Sequence, residues 1–206
     1  MNDVTLAGSK LLHYHVAAFF RSRTEEYEVM RSYIKEGIDS GEKAVHICDP
    51  MLRHDHLQHL EQMGVHITDC TRTGQLEVLG WHDAYLKDGR FDADTMMALV
   101  EETIQTSHAE GFPRVRLLGH MEWASEGWPG AERLIEYEAQ ANYFLNRMKQ
   151  PAVCIYDLNR FDGTTIMNVL RTHPYTIIDG LLRENPYYVP PEQLLGELAS
   201  PKPGRS

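Results

Sequence analysis

The stretch that decides the fold reads LLHYHVAAFF (Leu11–Phe20), RSRT (Arg21–Thr24), EEYEVMRSYIKEGIDS (Glu25–Ser40) and, after GEK, AVHIC (Ala44–Cys48). Its first and last parts are short apolar runs, which are typical of buried strands. Its middle part repeats apolar residues every three or four positions, which is the spacing of one helix face, and Thr24 is the expected N-cap. The stretch therefore predicts a strand, a basic turn, a helix and a second strand.

The turn after the first strand argues against nucleotide chemistry of the phosphate-loop type. Such a loop needs backbone N–H groups left uncovered by side chains, and a lysine that reaches the terminal phosphates. The chain has no GxxxxGK[ST] motif, and its first strand exits into FRSRT (Phe20–Thr24). No GxSxG motif or local Cys/His signature is present either. We therefore expect a protein that is not an enzyme.

Strand and helix patterns alternate along the rest of the chain. Further helices are predicted over Leu52–Met63, from a cap at Asp92 or Asp94 through Glu110, over Ala131–Lys149 and over Thr164–Thr172. Further strands are predicted over Val65–Thr68, Leu76–Trp81, Val115–Leu118, Ala152–Tyr156 and Thr176–Ile178. This alternation of apolar strands with helices favours a three-layer α/β fold, a mainly parallel sheet with helices on both faces. We expect an N-terminal extension at residues 1–10, one domain over 11–198 and a flexible tail at 199–206.

Composition narrows the class of protein further. The 206 residues contain no apolar run near the ~20 residues that span a bilayer, and the N-terminus lacks the pattern of a signal peptide. Thirty acidic against twenty basic residues give a net charge of −10, which opposes direct binding to nucleic acid. The three cysteines are too widely spaced for a disulfide scaffold or a CxxC metal site. These features predict a cytoplasmic protein that binds neither DNA nor membranes.

A ligand pocket is expected beyond the carboxyl ends of the strands, where the loops of a parallel sheet meet. The loop GHMEW (Gly119–Trp123) follows a buried strand there, and offers Glu122 as a polar anchor and tryptophan as an apolar wall. Packing of a lid is the competing role for the tryptophans. Asp157 comes directly after the strand AVCIY. We predict that the pocket is lined by His15, Phe20, Trp81, Glu122, Trp123, Tyr137 and Asp157.

Two arginines near the first helix are candidates for anion binding. Arg21 and Arg23 precede or begin the helix, where guanidinium groups and the positive end of the helix dipole favour an anion. Solvated loop arginines are the competing interpretation. In the first interpretation, these residues would bind the phosphates of a nucleotide.

The eleven histidines suggest a metal site only weakly. His13 and His15 lie on one side of the predicted strand, and Asp157 or Glu122 would complete a carboxylate–histidine set. Buried, hydrogen-bonded histidines are the favoured interpretation. Three more histidines lie too irregularly on a predicted helix to converge: His54, His56 and His59. We therefore expect no metal and no cofactor.

Glu138 and Asn142 lie one turn apart on a predicted helix. They form either a solvated or hydrogen-bonded helix face or the anchor of a polar ligand group. Cys154 lies inside a predicted strand, where we expect it to be buried and unreactive.

Short motifs occur along the chain in one order, and together they carry a resemblance. They are His15 ahead of an aromatic strand, GIDSGEK (37–43), GQL (74–76), Tyr85 with GRFD (89–92), Arg116 to Trp123, EYEA (136–139) with Asn142, CIYD (154–157), FDG (161–163), HP (173–174), NPY (185–187) and PE (191–192). From about His13 to Leu195, the chain resembles the MEDS family of methanogen and methylotroph sensory domains. The resemblance implies a relative of RecA- and KaiC-like ATPases that has lost the phosphate loop.

The same resemblance implies a role in signalling. Domains of this family accompany DNA-binding or kinase modules, and the resemblance implies that they sense small hydrocarbon derivatives. We therefore expect a non-catalytic sensory domain that binds a small, hydrocarbon-derived ligand and signals to a separate transcriptional or kinase partner, with a homodimer as one assembly. A ligand-free adaptor with an acidic surface for a basic partner is one alternative. A relic nucleotide-binding domain and a metal-dependent enzyme are two others.

Overall fold

A seven-stranded sheet forms the centre of the molecule in the computed structural model, which describes residues 4–200. A short hairpin, β1 and β2, precedes it at Thr5–Leu6 and Ser9–Lys10. The central strands are β3 (His15–Phe20), β4 (Lys43–Cys48), β5 (Leu76–Gly80), β6 (Val115–His120), β7 (Ala152–Asp157), β8 (Tyr175–Ile178) and β9 (Leu181–Glu184). Their order is β5-β4-β6-β7-β3-β8-β9, and every neighbouring pair is parallel except β8–β9.

Helices cover both faces of the sheet. They are α1 (Arg23–Asp39), α2 (Arg53–Gln62), α3 (Ile67–Arg72), α4 (Ala93–Ala109), α5 (Leu134–Met148), α6 (Gly163–Thr172) and α7 (Pro191–Ala199). Buried residues of α1, α2 and α3 belong to the hydrophobic core on one face, and those of α4, α5 and α6 to the core on the other. Helix α7 packs against α5 and α6. The three-layer α/β fold with a mainly parallel sheet is confirmed.

The start of α1 differs from its prediction. Ser22 is the N-cap, because its side chain accepts a hydrogen bond from the backbone N–H of Glu25 at 3.2 Å. Thr24, the predicted cap, lies inside the first turn of the helix. The helix starts so early that only two residues, Arg21 and Ser22, join β3 to α1. This connection is too short to form a loop around a phosphate group.

The predicted strand Val65–Thr68 is wrong, because the chain forms α3 from Ile67 onward. Val65 precedes this helix and Cys70 lies within it, and both side chains are buried in the core that α1 and α2 share. Burial of these two side chains therefore outweighs the strand preference of the β-branched residues around them.

Both ends of the described segment contain strands that the sequence patterns did not predict. Leu6 of the first hairpin is fully buried in the core beside α1. The β8–β9 hairpin turns at Asp179 and Gly180, both with positive φ, as a tight two-residue turn requires. Of the predicted tail, Ala199 ends α7, and residues 201–206 lie outside the described residues. Within residues 4–200, no helix combines the length and apolar character needed to traverse a bilayer.

Candidate functional site

A buried network of charged side chains lies at the carboxyl ends of β3, β4 and β6. Arg23, in the first turn of α1, donates hydrogen bonds to Glu26 at 2.7 Å and to Glu122 at 2.8 Å. His120, the last residue of β6, lies 2.7 Å from the other carboxylate oxygen of Glu26. Both carboxylates are almost completely buried. One guanidinium and one imidazole thus compensate the charge of two buried acids.

These pairings set the protonation of the network. Burial disfavours the ionised form of Glu26, but the contacts with His120 and Arg23 outweigh it and lower the pKa of that carboxyl. Burial likewise disfavours charge on His120, but the neighbouring Glu26 raises the pKa of the imidazole. The pair is therefore held in its ionised form.

Two further histidines extend the network across β4 and α2. His46 Nδ1 lies 2.9 Å from His56 Nε2, and the Tyr27 hydroxyl lies 2.6 Å from His56 Nδ1. Burial lowers the pKa of His46 to about 3 and holds that of His56 well below its ordinary value. Both rings are thus neutral, and with Tyr27 they form a buried hydrogen-bonded chain.

The two arginines predicted to bind an anion are both engaged by carboxylates of this chain. Arg23 binds Glu26 and Glu122, and Arg21 binds Asp179 at 2.7 Å on the surface. The cavity of about 100 Å³ beside the network is also lined by two acids, Asp49 and Asp55. This edge of the sheet therefore offers no excess positive charge to a phosphate group.

The predicted apolar pocket residues occupy both faces of the sheet. Trp81, Trp123 and Tyr137 lie in the core on the α4–α6 face, whereas Phe20 lies in the core on the opposite face. Phe91 joins two of them, since its ring centroid lies 4.6 Å from that of Trp123 and 5.5 Å from that of Tyr137. The structure thus brings Trp81, Trp123 and Tyr137 into one core and separates Phe20 from them.

The predicted polar pocket residues lie at opposite ends of the strands. Glu122 is bound by Arg23 at the carboxyl edge, where Asp157 also accepts hydrogen bonds from Asn159 in the following turn. His15 lies at the amino end of β3, paired with Ala152 at the start of β7. These three polar residues therefore do not line one pocket.

The weaker metal hypothesis, His13 with His15 and Asp157, is not realised either. His13 precedes β3, is exposed, and lies against the ring of Tyr175. Asp157 pairs in register with Phe20, at the other end of β3 from His15. A full strand length therefore separates the proposed carboxylate from the proposed histidine.

A small cavity lies beneath α5, between the sheet and helices α4 and α5. Its volume is about 40 Å³, and its lining is mainly apolar. Its lining residues include His15, Tyr85, Val100, Tyr137, Ala141 and Cys154. Two predicted pocket residues, His15 and Tyr137, thus line the same cavity, away from the carboxyl edge.

One wall of this cavity is backed by a buried polar cluster centred on Glu138. His15 Nε2 lies 3.1 Å from Glu138 Oε2, and the Tyr156 hydroxyl donates a hydrogen bond to Oε1 at 2.6 Å. Cys154 Sγ lies 3.6 Å and His173 Nε2 lies 3.5 Å from Glu138 Oε2. Glu138 and His173 are fully buried, so water does not solvate their polar groups.

The buried cluster contains three groups with shifted pKa values: Glu138, His173 and Cys154. Burial opposes ionisation of Glu138, but His173, the hydrogen bond from His15 and that from Tyr156 lower the pKa of its carboxyl to about 2. Burial lowers the pKa of His173 to about 3. Burial also raises the pKa of the Cys154 thiol well above its ordinary value. Glu138 is thus ionised at neutral pH.

Potential metal ligands meet in the same cluster. The donor atoms of four residues all lie within 4.8 Å of one another: His15, Glu138, Cys154 and His173. In the described part of the chain, this is the group of histidine, cysteine and acidic residues whose geometry suits an ion.

All four of these residues stood out in the sequence, but nothing in the sequence connected them as one group. Cys154 was expected to be buried and unreactive, and its burial is observed. The sequence left two roles for Glu138, a residue of a solvated or hydrogen-bonded helix face or a polar anchor for a ligand. In the structure it is buried in the core together with Asn142. His173 was noted only within its HP motif. The signal in the sequence was a polar residue within otherwise apolar segments. Only the order of the strands in the sheet shows that these polar residues meet.

Comparison with known proteins identifies the fold and the family. The family model described as MEDS, "MEthanogen/methylotroph, DcmR Sensory domain", matches residues 14–174. The chain belongs to the MEDS family. Among solved structures, this MEDS domain is similar to the KaiC-like protein of the archaeon Pyrococcus horikoshii OT3, with a TM-score of 0.53 and 11% identity. The match covers 79% of this chain and 69% of that one, and it shows a KaiC-like fold.

A curated relative connects the MEDS domain with regulation. The chain is 27% identical over 173 residues to the transcriptional repressor DcmR of Methylorubrum extorquens. That alignment covers 80% of this chain and 59% of the repressor, so this MEDS domain spans less than two thirds of its relative. All four residues of the buried cluster lie within the segment matched by the family model.

Proposed function

We propose that this MEDS domain is a non-catalytic sensor that binds a small hydrocarbon derivative in the cavity beneath α5. The observation that carries the proposal is the cavity itself, which is mainly apolar and has His15 and Cys154 among its lining residues. Its 40 Å³ corresponds to about three water-sized volumes, which suits a molecule of one to three carbon atoms with a polar or halogen substituent. Apolar lining with a few polar groups is the usual composition of ligand sites.

A route from the cavity to the surface supports a signalling role. Tyr85 lines the cavity, and its ring stacks on Trp123 with 5.0 Å between centroids. Trp123 belongs to the loop after β6, in which Glu122 is tied to Arg23 of α1. We infer that ligand binding biases the position of this loop, and with it the surface offered to a regulatory partner. A population shift of this kind requires that the ligand bind one loop position more tightly.

The partner that fits best is a transcriptional regulator, attached or separate, because the repressor DcmR is a relative of this chain. Direct DNA contact by this domain is disfavoured by its net charge of −10. A cytoplasmic location follows from the same proposal.

Thermal unfolding with a panel of one- to three-carbon alcohols and halogenated hydrocarbons tests ligand binding. A compound present at 100 times its dissociation constant stabilises the folded state by about 2.7 kcal/mol, which raises the Tm measurably. Ala141 lines the cavity, so Ala141→Leu fills it and is expected to abolish the shift. Ala98 is exposed on α4, and Ala98→Leu should leave the shift intact.

Two results would contradict the sensor proposal. One is the absence of any shift across the panel in folded protein, which would favour a ligand-free adaptor. The other is a shift that persists unchanged in Ala141→Leu, which would place the ligand elsewhere.

A further inference from the structure

We propose that His15, Glu138, Cys154 and His173 bind one divalent transition-metal ion of the zinc class in a tetrahedral site. The ion would lie beside the cavity described above, and the geometry of the four side chains supports its binding. It holds whether or not an organic ligand enters the cavity.

The spacing of the donor atoms fits a tetrahedron. Nitrogen, oxygen and sulfur ligands bound to zinc at about 2.0–2.3 Å lie about 3.3–3.6 Å apart along the tetrahedral edges. Glu138 Oε2 lies 3.1 Å from His15 Nε2, 3.5 Å from His173 Nε2 and 3.6 Å from Cys154 Sγ. His15 Nε2 and Cys154 Sγ lie 3.3 Å apart. Four of the six edges thus lie close to tetrahedral length, and the remaining two, from His173 to His15 and to Cys154, are no longer than 4.8 Å.

The orientation of His173 is that of a metal ligand. Its Nδ1 lies 3.0 Å from the carbonyl oxygen of Val169, so the ring places its proton on Nδ1 and its lone pair on Nε2. Nε2 is fully buried, faces the cluster and has no hydrogen-bond partner. A buried polar atom without a partner is costly, and an ion in the cluster would satisfy it.

Glu138 is also oriented as a metal ligand, by a hydrogen bond to its other carboxylate oxygen. The Tyr156 hydroxyl donates a hydrogen bond to Oε1, which leaves Oε2 directed at the histidines and the cysteine. Outer hydrogen bonds of this kind orient metal ligands in proteins. Tyr156 is therefore a positioning residue for the site.

Charge and ligand type indicate the class of ion. Cys154 is a thiol in the metal-free core, and a bound ion displaces its proton to solvent. The Glu138 carboxylate and the resulting thiolate then neutralise a divalent cation, which makes the assembly neutral in a dry core. A mixture of imidazole, thiolate and carboxylate in tetrahedral geometry suits zinc or cobalt, whereas magnesium and calcium require more oxygen ligands. Four protein ligands make a closed site, which is typical of a structural ion.

Metal content and cobalt spectroscopy test the site. Untagged protein purified without chelators should contain one equivalent of zinc by elemental analysis. Metal-free protein titrated with Co²⁺ alone should take up one equivalent, with the near-ultraviolet band of a cobalt–thiolate bond and the strong visible bands of tetrahedral cobalt. Cys154→Ser should lose the thiolate band, whereas Cys70→Ser, in the core on the opposite face, should keep it.

A milder variant separates positioning from folding. Tyr156→Phe keeps the ring but removes its hydrogen bond to Glu138, and we expect Co²⁺ affinity to fall about 10–100-fold with the thiolate band retained. Folded wild-type protein that binds no stoichiometric Co²⁺, or a thiolate band that survives in Cys154→Ser, would overturn the metal site. Neither result depends on the thermal shifts with organic compounds, so the two proposals fail separately.

Discussion

At the scale of single residues, the carboxyl edge of the sheet is governed by buried titratable groups. His46 and His56 are held neutral in contact with one another, while His120 and Glu26 form an ionised pair close by. Burial lowers the pKa of the first two imidazoles, and an adjacent carboxylate raises that of the third. Histidines at this edge thus differ in charge, two neutral and one positively charged, because their neighbours differ.

The neutral state of His46 predicts a loss of stability in acid. Its pKa is about 3 in the folded chain against 6.5 ordinarily, so the unfolded state binds more protons between these values. The free energy of unfolding therefore falls as the pH drops through this window, by up to about 1.4 kcal/mol per pH unit for this histidine. Urea unfolding at about pH 7 and about pH 5 should show a smaller fall in His46→Gln than in wild type.

The control for this effect is His54→Gln, since His54 is exposed on α2. It should lose stability in parallel with wild type. An equal fall in His46→Gln would show that this imidazole does not carry the linkage.

At the scale of the element, the first helix shows how local chemistry sets a boundary. Ser22 caps α1, and its neighbour Arg21 donates its backbone N–H to the Glu25 carboxylate at 2.9 Å. Both serine and threonine are good caps, so the sequence pattern allowed Thr24 as well. The structure selects the earlier residue because Arg23 must lie inside the helix to reach both Glu26 and Glu122.

This boundary predicts different costs for two similar substitutions. Ser22→Ala removes the cap and should lower the free energy of unfolding by about 1 kcal/mol. Thr24→Ala, within the first turn, should change it by no more than a few tenths of a kcal/mol. Chemical denaturation of both variants measures the difference, and equal costs would move the cap away from Ser22.

At the scale of the whole molecule, a KaiC-like fold is combined with a very short connection between β3 and α1. The two-residue connection from β3 to α1 leaves no phosphate loop, and the nearby arginines are paired with acids. At the same edge, Arg23, Glu26, His120 and Glu122 are hydrogen-bonded to one another.

Calorimetric titration with ATP and ADP should therefore give no saturable heat. The net charge of −10 adds a general repulsion of polyphosphates to the pairing of the arginines. The protein used should be shown to be folded by its cooperative thermal transition. A saturable one-to-one isotherm would restore the relic nucleotide-binding domain as the better interpretation.

The sequence by itself determined the class of fold, the absence of a phosphate loop and the family. Local periodicity predicts apolar strands and amphipathic helices. Every predicted strand and helix, except the segment at Val65–Thr68, lies close to its observed position. The hairpin turn at Asp179 and Gly180 was not predicted, although Asp-Gly between apolar residues is a strong local turn signal.

Only the tertiary structure decided which side chains meet. Strand β3 is inserted between β7 and β8, far from its order along the chain. This placement brings His15 to within 3.3 Å of Cys154 across a separation of 139 residues, with His173 and Glu138 beside them. Local periodicity reports which face of an element is buried, but it holds no information on which elements become neighbours. The ionised network at one end of the sheet and the ligand cluster beneath α5 both arise from that long-range order.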